Sequence, residues 1–334
     1  MEQRKYGFTV TQEYAGYSLC DYLVHQMIHF SQQTLKKMIH SKLVLVNGEN
    51  VGAFTRLLAG DEVKIEIPLD QKETYEPCPP LEILFENAQF LVVNKPAGLA
   101  VVQERWKHDN FFKEAILQHY QKTKQEDCLP LAVHRIDKET SGAVLVAKNK
   151  QMESYLCGLF EEHKIQKEYL ALVAGIPENK GRIELKIVQA SDKSSKMIVS
   201  ESGKEAITNY ELLETFGDFS LLKVTPETGR THQIRVHLAS QGYPLAIDSL
   251  YGYRNAIKLS EIKPSYKPKD TNLERPILSR LTLHAHRISF QLPDEQPFSI
   301  EAPIPEDLEL LIKMLRKYRP QQSSIFSEGK KRAR

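Results

Sequence analysis

Between Ala132 and Lys148 the chain sets a histidine, an arginine and a carboxylate within four positions, His134-Arg135-Ile136-Asp137, and follows them with a Thr140-Ser141-Gly142 turn. The run Ala143 to Ala147 that comes next is unbroken and apolar, which reads as a buried strand. A polar cluster feeding such a strand lies in a loop held against a rigid element, where reactive groups are commonly carried. If one carboxylate here does chemistry, it is Asp137.

A second dense stretch runs from Pro226 to Leu238, PETGRTHQIRVHL. Ile234 and Leu238 share a helical face, so the polar residues before them are expected to cap a helix. A Gly229-Arg230-Thr231 turn opening a helix offers free N–H groups beside a guanidinium, a combination suited to an anion. Histidines 134, 232, 237, 284 and 286, with Asp137 and Asp248, could also be read as ligands of a metal-dependent phosphodiesterase or nuclease. That spacing is poor: there is no HExxH or paired-carboxylate motif, and His284 and His286 alternate along an expected strand.

These stretches need a scaffold, and 334 residues suit one large catalytic domain with an accessory module. Composition, 41% hydrophobic and 26% charged, is that of a globular protein with a real core. No apolar run is long enough to span a bilayer and the first residues lack a signal-peptide core, so a cytoplasmic location is expected. Cys20, Cys78, Cys128 and Cys157 are scattered without CxxC spacing and are expected as reduced core thiols. A net charge of +2 means that any nucleic-acid surface must concentrate its cations locally.

In chain order, two short helices are expected from Leu19, Tyr22, Leu23 and Met27 and, after a cap at Ser31, from Leu35, Met38 and Ile39. A strand at Val44 to Val46, an Asn47-Gly48 turn and the alternating Val63, Ile65 and Ile67 complete a small α/β module. Residues 70–80, DQKETYEPCPP, read as a polar linker. Strands are then expected at Leu81 to Phe85, Phe90 to Val93, Lys167 to Gly175, Gly203 to Thr208, Leu221 to Thr225 and Leu281 to Phe290. Helices are expected over Phe111 to Tyr120, along the Met152, Tyr155, Leu156, Leu159 and Phe160 stripe, and over Glu306 to Tyr318. Ile262 to Pro276 reads as an exposed insertion and 321–334 as a basic, disordered tail.

HRID, two residues, then TSG resembles the HRLD-x-x-TSG signature of the RluA-type pseudouridine synthases, with Ile136 in place of leucine. The resemblance extends to Asn94-Lys95-Pro96-Ala97-Gly98, to Lys167-x-Tyr169 leading a strand, and to the PETGRTHQIRVHL stretch. The first module resembles an S4 RNA-binding domain, although Ser18-Leu19-Cys20 stands where such domains usually carry Arg-Leu-Asp. Up to Asp70 that module has seven basic and eight acidic residues, a net of minus one, and Lys36, Lys37 and Lys42 are its plausible phosphate contacts.

The resemblance implies an α+β fold: a mixed, mainly antiparallel central sheet flanked by helices, preceded by a small S4-like α/β module. The implied organisation is an S4-like domain over 1–69, a linker over 70–80 and a catalytic domain over 81–320. It implies isomerisation of uridine to pseudouridine in structured RNA, ribosomal RNA ahead of transfer RNA, by a monomer that needs no cofactor or metal. On matching positions it makes Asp137 the essential carboxylate, Arg230 its charge partner and Tyr169 the ring that stacks on uracil. Lys95 and Pro96 brace the catalytic loop, with Lys95 grouped among the substrate contacts, Arg135 fills the gap left by a flipped base, and Ile234 lines the pocket. A rival from another class is an RNA-binding or assembly factor that keeps this fold without catalysis.

Overall fold

The computed structural model describes residues 3–27, 32–68, 81–101, 111–123, 130–191, 196–268 and 274–320. The expected cap at Ser31, the linker, the tail, Cys78 and Cys128 lie outside them. The chain is α+β, with a large, mainly antiparallel sheet and helices, and its contacts divide it into two compact units. One comprises residues 1–165 and 289–302, the other 166–288 and 303–334.

The first unit begins with a strand the hydrophobic pattern did not announce, β1 (Gln3–Thr9), whose residues QRKYGFT are mostly polar. It pairs antiparallel with β3 (Glu62–Pro68), which also pairs with β2 (Val44–Val46). Between them stand α1 (Leu19–Gln26) and α2 (Gln32–His40). Ser18 caps α1 by accepting the Asp21 N–H at 3.1 Å, satisfying one of the otherwise orphaned donors of the first turn. The apolar stripe of these helices is the module's core: Leu19, Leu23 and Leu35 are all 0% exposed.

The same unit continues through β4 (Glu82–Glu86), β5 (Phe90–Lys95), α3 (Phe111–Lys122), β6 (Leu131–Ala132), β7 (Ser141–Ala147) and α4 (Lys150–Glu161). β7 is buried along its whole length, as an unbroken apolar run requires. Its antiparallel register with β5 sets Lys95 opposite Gly142 and Phe90 opposite Ala147. Asn149 caps α4 by accepting the Met152 N–H. Cys20 is buried as expected, but Cys157 on α4 is partly exposed.

The second unit is built on β8 (Gln166–Ala174), β9 (Lys180–Glu184), β10 (Ile187–Gln189), β11 (Met197–Val199), β12 (Ile207–Phe216) and β13 (Phe219–Pro226). β13 pairs antiparallel with both β8 and β12, and β12 with β9, while β10 and β11 form their own hairpin. Then come α5 (Gln233–Ser240), the short α6 (Leu259–Ile262) and β14 (Leu283–Gln291), whose last residues join the first unit with β15 (Pro297–Glu301). The expected exposed insertion begins on a fully buried anchor, Ile262. Helix α7 (Glu306–Tyr318) follows its sequence pattern: acids open it, Arg316 and Lys317 close it, and Leu308, Leu311, Ile312 and Leu315 enter the core.

One expected strand is different. Only Ile207 and Thr208 of the Gly203 to Thr208 run belong to β12, while Lys204 forms an isolated bridge with Ile187. Gly203 lies so close to that strand that a Cβ would meet the Ile187 backbone at 2.6 Å, which accounts for a glycine there.

Candidate active site

In the first unit Asp137 is half-buried on the turn that enters β7, with Ile136 buried before it and Arg135 exposed. The turn closes on itself, because Thr140 N–H donates to Asp137 O at 3.0 Å, and Gly142 continues it with a positive φ of 114°. Beneath it Lys95 is 0% exposed and donates from Nζ to Pro96 O, Leu99 O and Lys138 O at 2.9, 2.8 and 2.9 Å. Gly98 N–H reaches the same Lys138 carbonyl at 2.9 Å. The NKPAG segment is therefore fastened to the residue directly after Asp137. This corrects the grouping of Lys95 with the substrate contacts: an enclosed ammonium whose three N–H groups face three carbonyls cannot reach RNA.

His134 is also structural. Its Nε2 accepts the Leu145 N–H at 2.8 Å, so the ring proton belongs on Nδ1, and the ring stacks on Phe160 with centroids 4.8 Å apart. Among the described residues no group of three His, Cys, Asp or Glu side chains is arranged to hold a metal ion.

In the second unit Tyr169 sits near the start of β8, 9% exposed, paired with Val224 of β13. Arg230 lies on the loop between β13 and α5 and is exposed. Its Nε donates to Glu205 O at 3.0 Å and its backbone N–H to Gln233 Oε1 at 3.0 Å. Ile234 is 6% exposed in the first turn of α5. Gln233 to Leu238 of that helix are all buried. Its polar side chains turn inward and find partners: Arg235 forks onto Asp248 with bonds of 2.8 and 2.9 Å, and His237 meets Thr208 Oγ1 and Leu185 O, both at 2.9 Å. Burial pushes the Asp248 carboxyl up, but the Arg235 guanidinium and two backbone N–H groups outweigh it and hold the group below the usual carboxylate range.

The family model described as RNA pseudouridylate synthase matches residues 89–240, which include both motif stretches. "Ribosomal large subunit pseudouridine synthase D" of Zymomonas mobilis is 34% identical over 319 residues, covering 92% of this chain and 96% of that protein. This chain belongs to the RNA pseudouridine synthase family. The protein of the same name from Neisseria meningitidis is 33% identical over 334 residues, covering 98% and 86%, and "Ribosomal large subunit pseudouridine synthase C" of Vibrio vulnificus is 32% identical, covering 92% and 95%. Among solved structures, "Human RNA Pseudouridylate Synthase Domain Containing 1" superposes with a TM-score of 0.52 at 25% identity, covering 74% of this chain and 100% of that one. "Human RNA Pseudouridylate Synthase Domain Containing 4" gives 0.53 at 24% identity, covering 70% and 92%, a likeness of fold.

As a member of that family the enzyme isomerises uridine to pseudouridine in RNA. Sequence reasoning named several polar residues near these motifs without placing them. Lys167, two positions before Tyr169, has its Nζ 3.7 Å from where a Cβ on Gly229 would stand, and burial pulls its ammonium below the usual lysine range. His232 adopts the left-handed conformation at φ 53°, ψ 19°, and its Nδ1 is 2.9 Å from Tyr251 OH. The only hint in the chain was the density of hydrogen-bonding residues in THQIRVH, which periodicity cannot orient. In the first module Lys37 and Lys42 are exposed, Lys36 half-buried with its Nζ 5.9 Å from the Phe54 ring, and Phe54 itself is 79% exposed.

Proposed function

We propose that this enzyme acts on specific uridines of large-subunit ribosomal RNA, with Asp137, Tyr169 and Arg230 as its catalytic set. Near full-length similarity to relatives named for that RNA supports the substrate. The observation that carries the catalytic assignment is the Asp137 turn, a half-buried carboxylate fixed from beneath by the enclosed Lys95.

The reaction breaks the N1–C1′ bond, turns the base and joins C1′ to C5; N1 gains a proton and C5 loses one, so no redox partner is required. Asp137 acts at the sugar, at C1′ or on the C2′ proton. Tyr169 stacks on the uracil, an interaction worth about 1–3 kcal/mol, and relays the C5 proton. Arg230 serves as the charge partner of the Asp137 carboxylate. Arg135 occupies the gap left by the extruded nucleotide, whose removal from its stack costs about a few kcal/mol, and Ile234 is an apolar wall.

The organisation that fits this reading is an S4-like RNA-binding domain over 1–69, a linker over 70–80 and a catalytic domain over 81–320. Lys36, Lys37 and Lys42 meet phosphates and the exposed Phe54 offers a face to an unstacked base. The enzyme works as a cytoplasmic monomer; no helix among the described residues is long and apolar enough to cross a membrane.

The test is mass-spectrometric mapping of pseudouridine in an unmodified large-subunit ribosomal RNA transcript treated with wild-type enzyme or Asp137→Asn. Modification by the wild type alone supports the assignment. Retained modification by the variant would overturn the role of Asp137, and none by either would overturn the substrate.

A further inference from the structure

The segment Glu205 to Thr208 has no role in the chemistry above, yet the Arg230 loop is fastened to it. Glu227 N–H donates to Ile207 O at 3.0 Å and Ile207 N–H donates to Thr228 Oγ1 at 3.0 Å. Arg230 Nε adds its bond to Glu205 O. At the centre is Gln233, 4% exposed. Its Oε1 accepts from Thr228 Oγ1 at 2.7 Å and from Arg230 N at 3.0 Å, while its Nε2 donates to Ile207 O at 2.9 Å and to Thr208 Oγ1 at 3.0 Å.

A side-chain amide has two acceptor and two donor sites, and all four are used. The amide orientation follows from the partners alone: a backbone N–H can only donate to Oε1, and a backbone carbonyl can only accept from Nε2. A carboxylate of the same shape could not donate to Ile207 O, and a methionine could make none of the four bonds. The span being held is four residues long and ends in the left-handed His232, a conformation that a non-glycine residue keeps only when its surroundings hold it there.

From this geometry we infer that Gln233 is a positioning residue for catalysis: it fixes the backbone of Arg230 relative to the start of β12 and so sets where the guanidinium is presented. The inference rests on Arg230 having the catalytic role proposed above. It also gives the Glu205 to Thr208 segment its function, as the fixed rail against which the loop is referenced. The same saturated bonding would serve stability alone, so the test must read Arg230 through Gln233.

That test is a double-mutant cycle on an unmodified large-subunit ribosomal RNA transcript, with kcat, KM and thermal melting measured for Gln233→Met, Arg230→Ala and the pair. The expected result for Gln233→Met is a fall in kcat of about tenfold to a hundredfold, the scale of a misplacement near 1 Å, with KM within about twofold of wild type. In the Arg230→Ala background the same change should cost no further turnover. Losses that multiply in the double variant, or a loss carried by KM, would overturn the inference while leaving Arg230 in place. Arg230→Ala with wild-type kcat would remove the underlying reading and this one with it. Should Gln233→Met lack a cooperative melt, Thr228→Val removes one of the four bonds together with the acceptor of the Ile207 N–H and should lower kcat about threefold or more, with Thr228→Ser restoring it. Wild-type kcat in Thr228→Val would overturn the inference.

Discussion

Replacing Lys95 by methionine tests how the Asp137 turn is held. The substitution keeps the length of the side chain and removes an ammonium that is 0% exposed and bonded to Pro96 O, Leu99 O and Lys138 O. Each hydrogen bond to a charged group contributes about 1.5–3 kcal/mol, so the three together give about 4.5–9 kcal/mol. Against this stands the desolvation of a buried ion, several kcal/mol even after relaxation, which methionine avoids. Lys138 O keeps a partner in Gly98 N–H, which softens the loss at that carbonyl. The net expectation is a destabilisation of about 2–5 kcal/mol, read from urea unfolding as a lower midpoint at unchanged slope. Turnover should fall about tenfold or more in the same variant, because the residue next to Asp137 loses its anchor. Lys95→Arg should not restore it, since a planar guanidinium fork does not match carbonyls converging on one nitrogen. A variant within about 1 kcal/mol of wild type that keeps full turnover would refute the bracing argument.

Three further outcomes are expected. Asp248→Asn breaks the buried fork with Arg235 and should cost about 3–5 kcal/mol in denaturant unfolding; because the folded carboxyl lies below its unfolded value of 3.8, that contribution is present above 3.8 and is lost as pH falls through the folded value. His237 is the opposite case: burial pulls its folded value below 6.5, only partly countered by Leu185 O, so the unfolded chain takes up a proton first and stability drops as pH falls below 6.5. Melting temperatures across that range should show the drop, and His237→Gln should flatten it. Phe54→Ala should weaken binding of a single-stranded RNA by about 1–3 kcal/mol without changing the salt dependence, whereas Lys36→Ala should reduce the salt slope; filter binding at several ionic strengths separates the two.

Structure was legible along the chain wherever a motif is local. HRIDKETSG places Asp137, its turn glycine and the buried strand behind it within a few residues, and a strand that is apolar throughout can only be buried. Helix α7 was equally readable, because its acids, its cations and its 308, 311, 312, 315 stripe agree with one another. What the sequence could not supply was the direction of polar side chains. Lys95, expected both to brace the loop and to stand among the substrate contacts, is buried under Lys138 O and keeps only the bracing geometry. Gln233, Arg235 and His237 carry no local sign of burial and are enclosed, because Thr208, Asp248 and Leu185 O, distant in sequence, satisfy them. Strand β1 escaped detection because mostly polar residues form a strand there only once β3 offers its edge. Residue type and spacing determined which groups this enzyme has for its reaction; the tertiary structure decided which of them are presented and which are spent holding the others in place, since a buried polar group is defined by partners that no local stretch of chain contains.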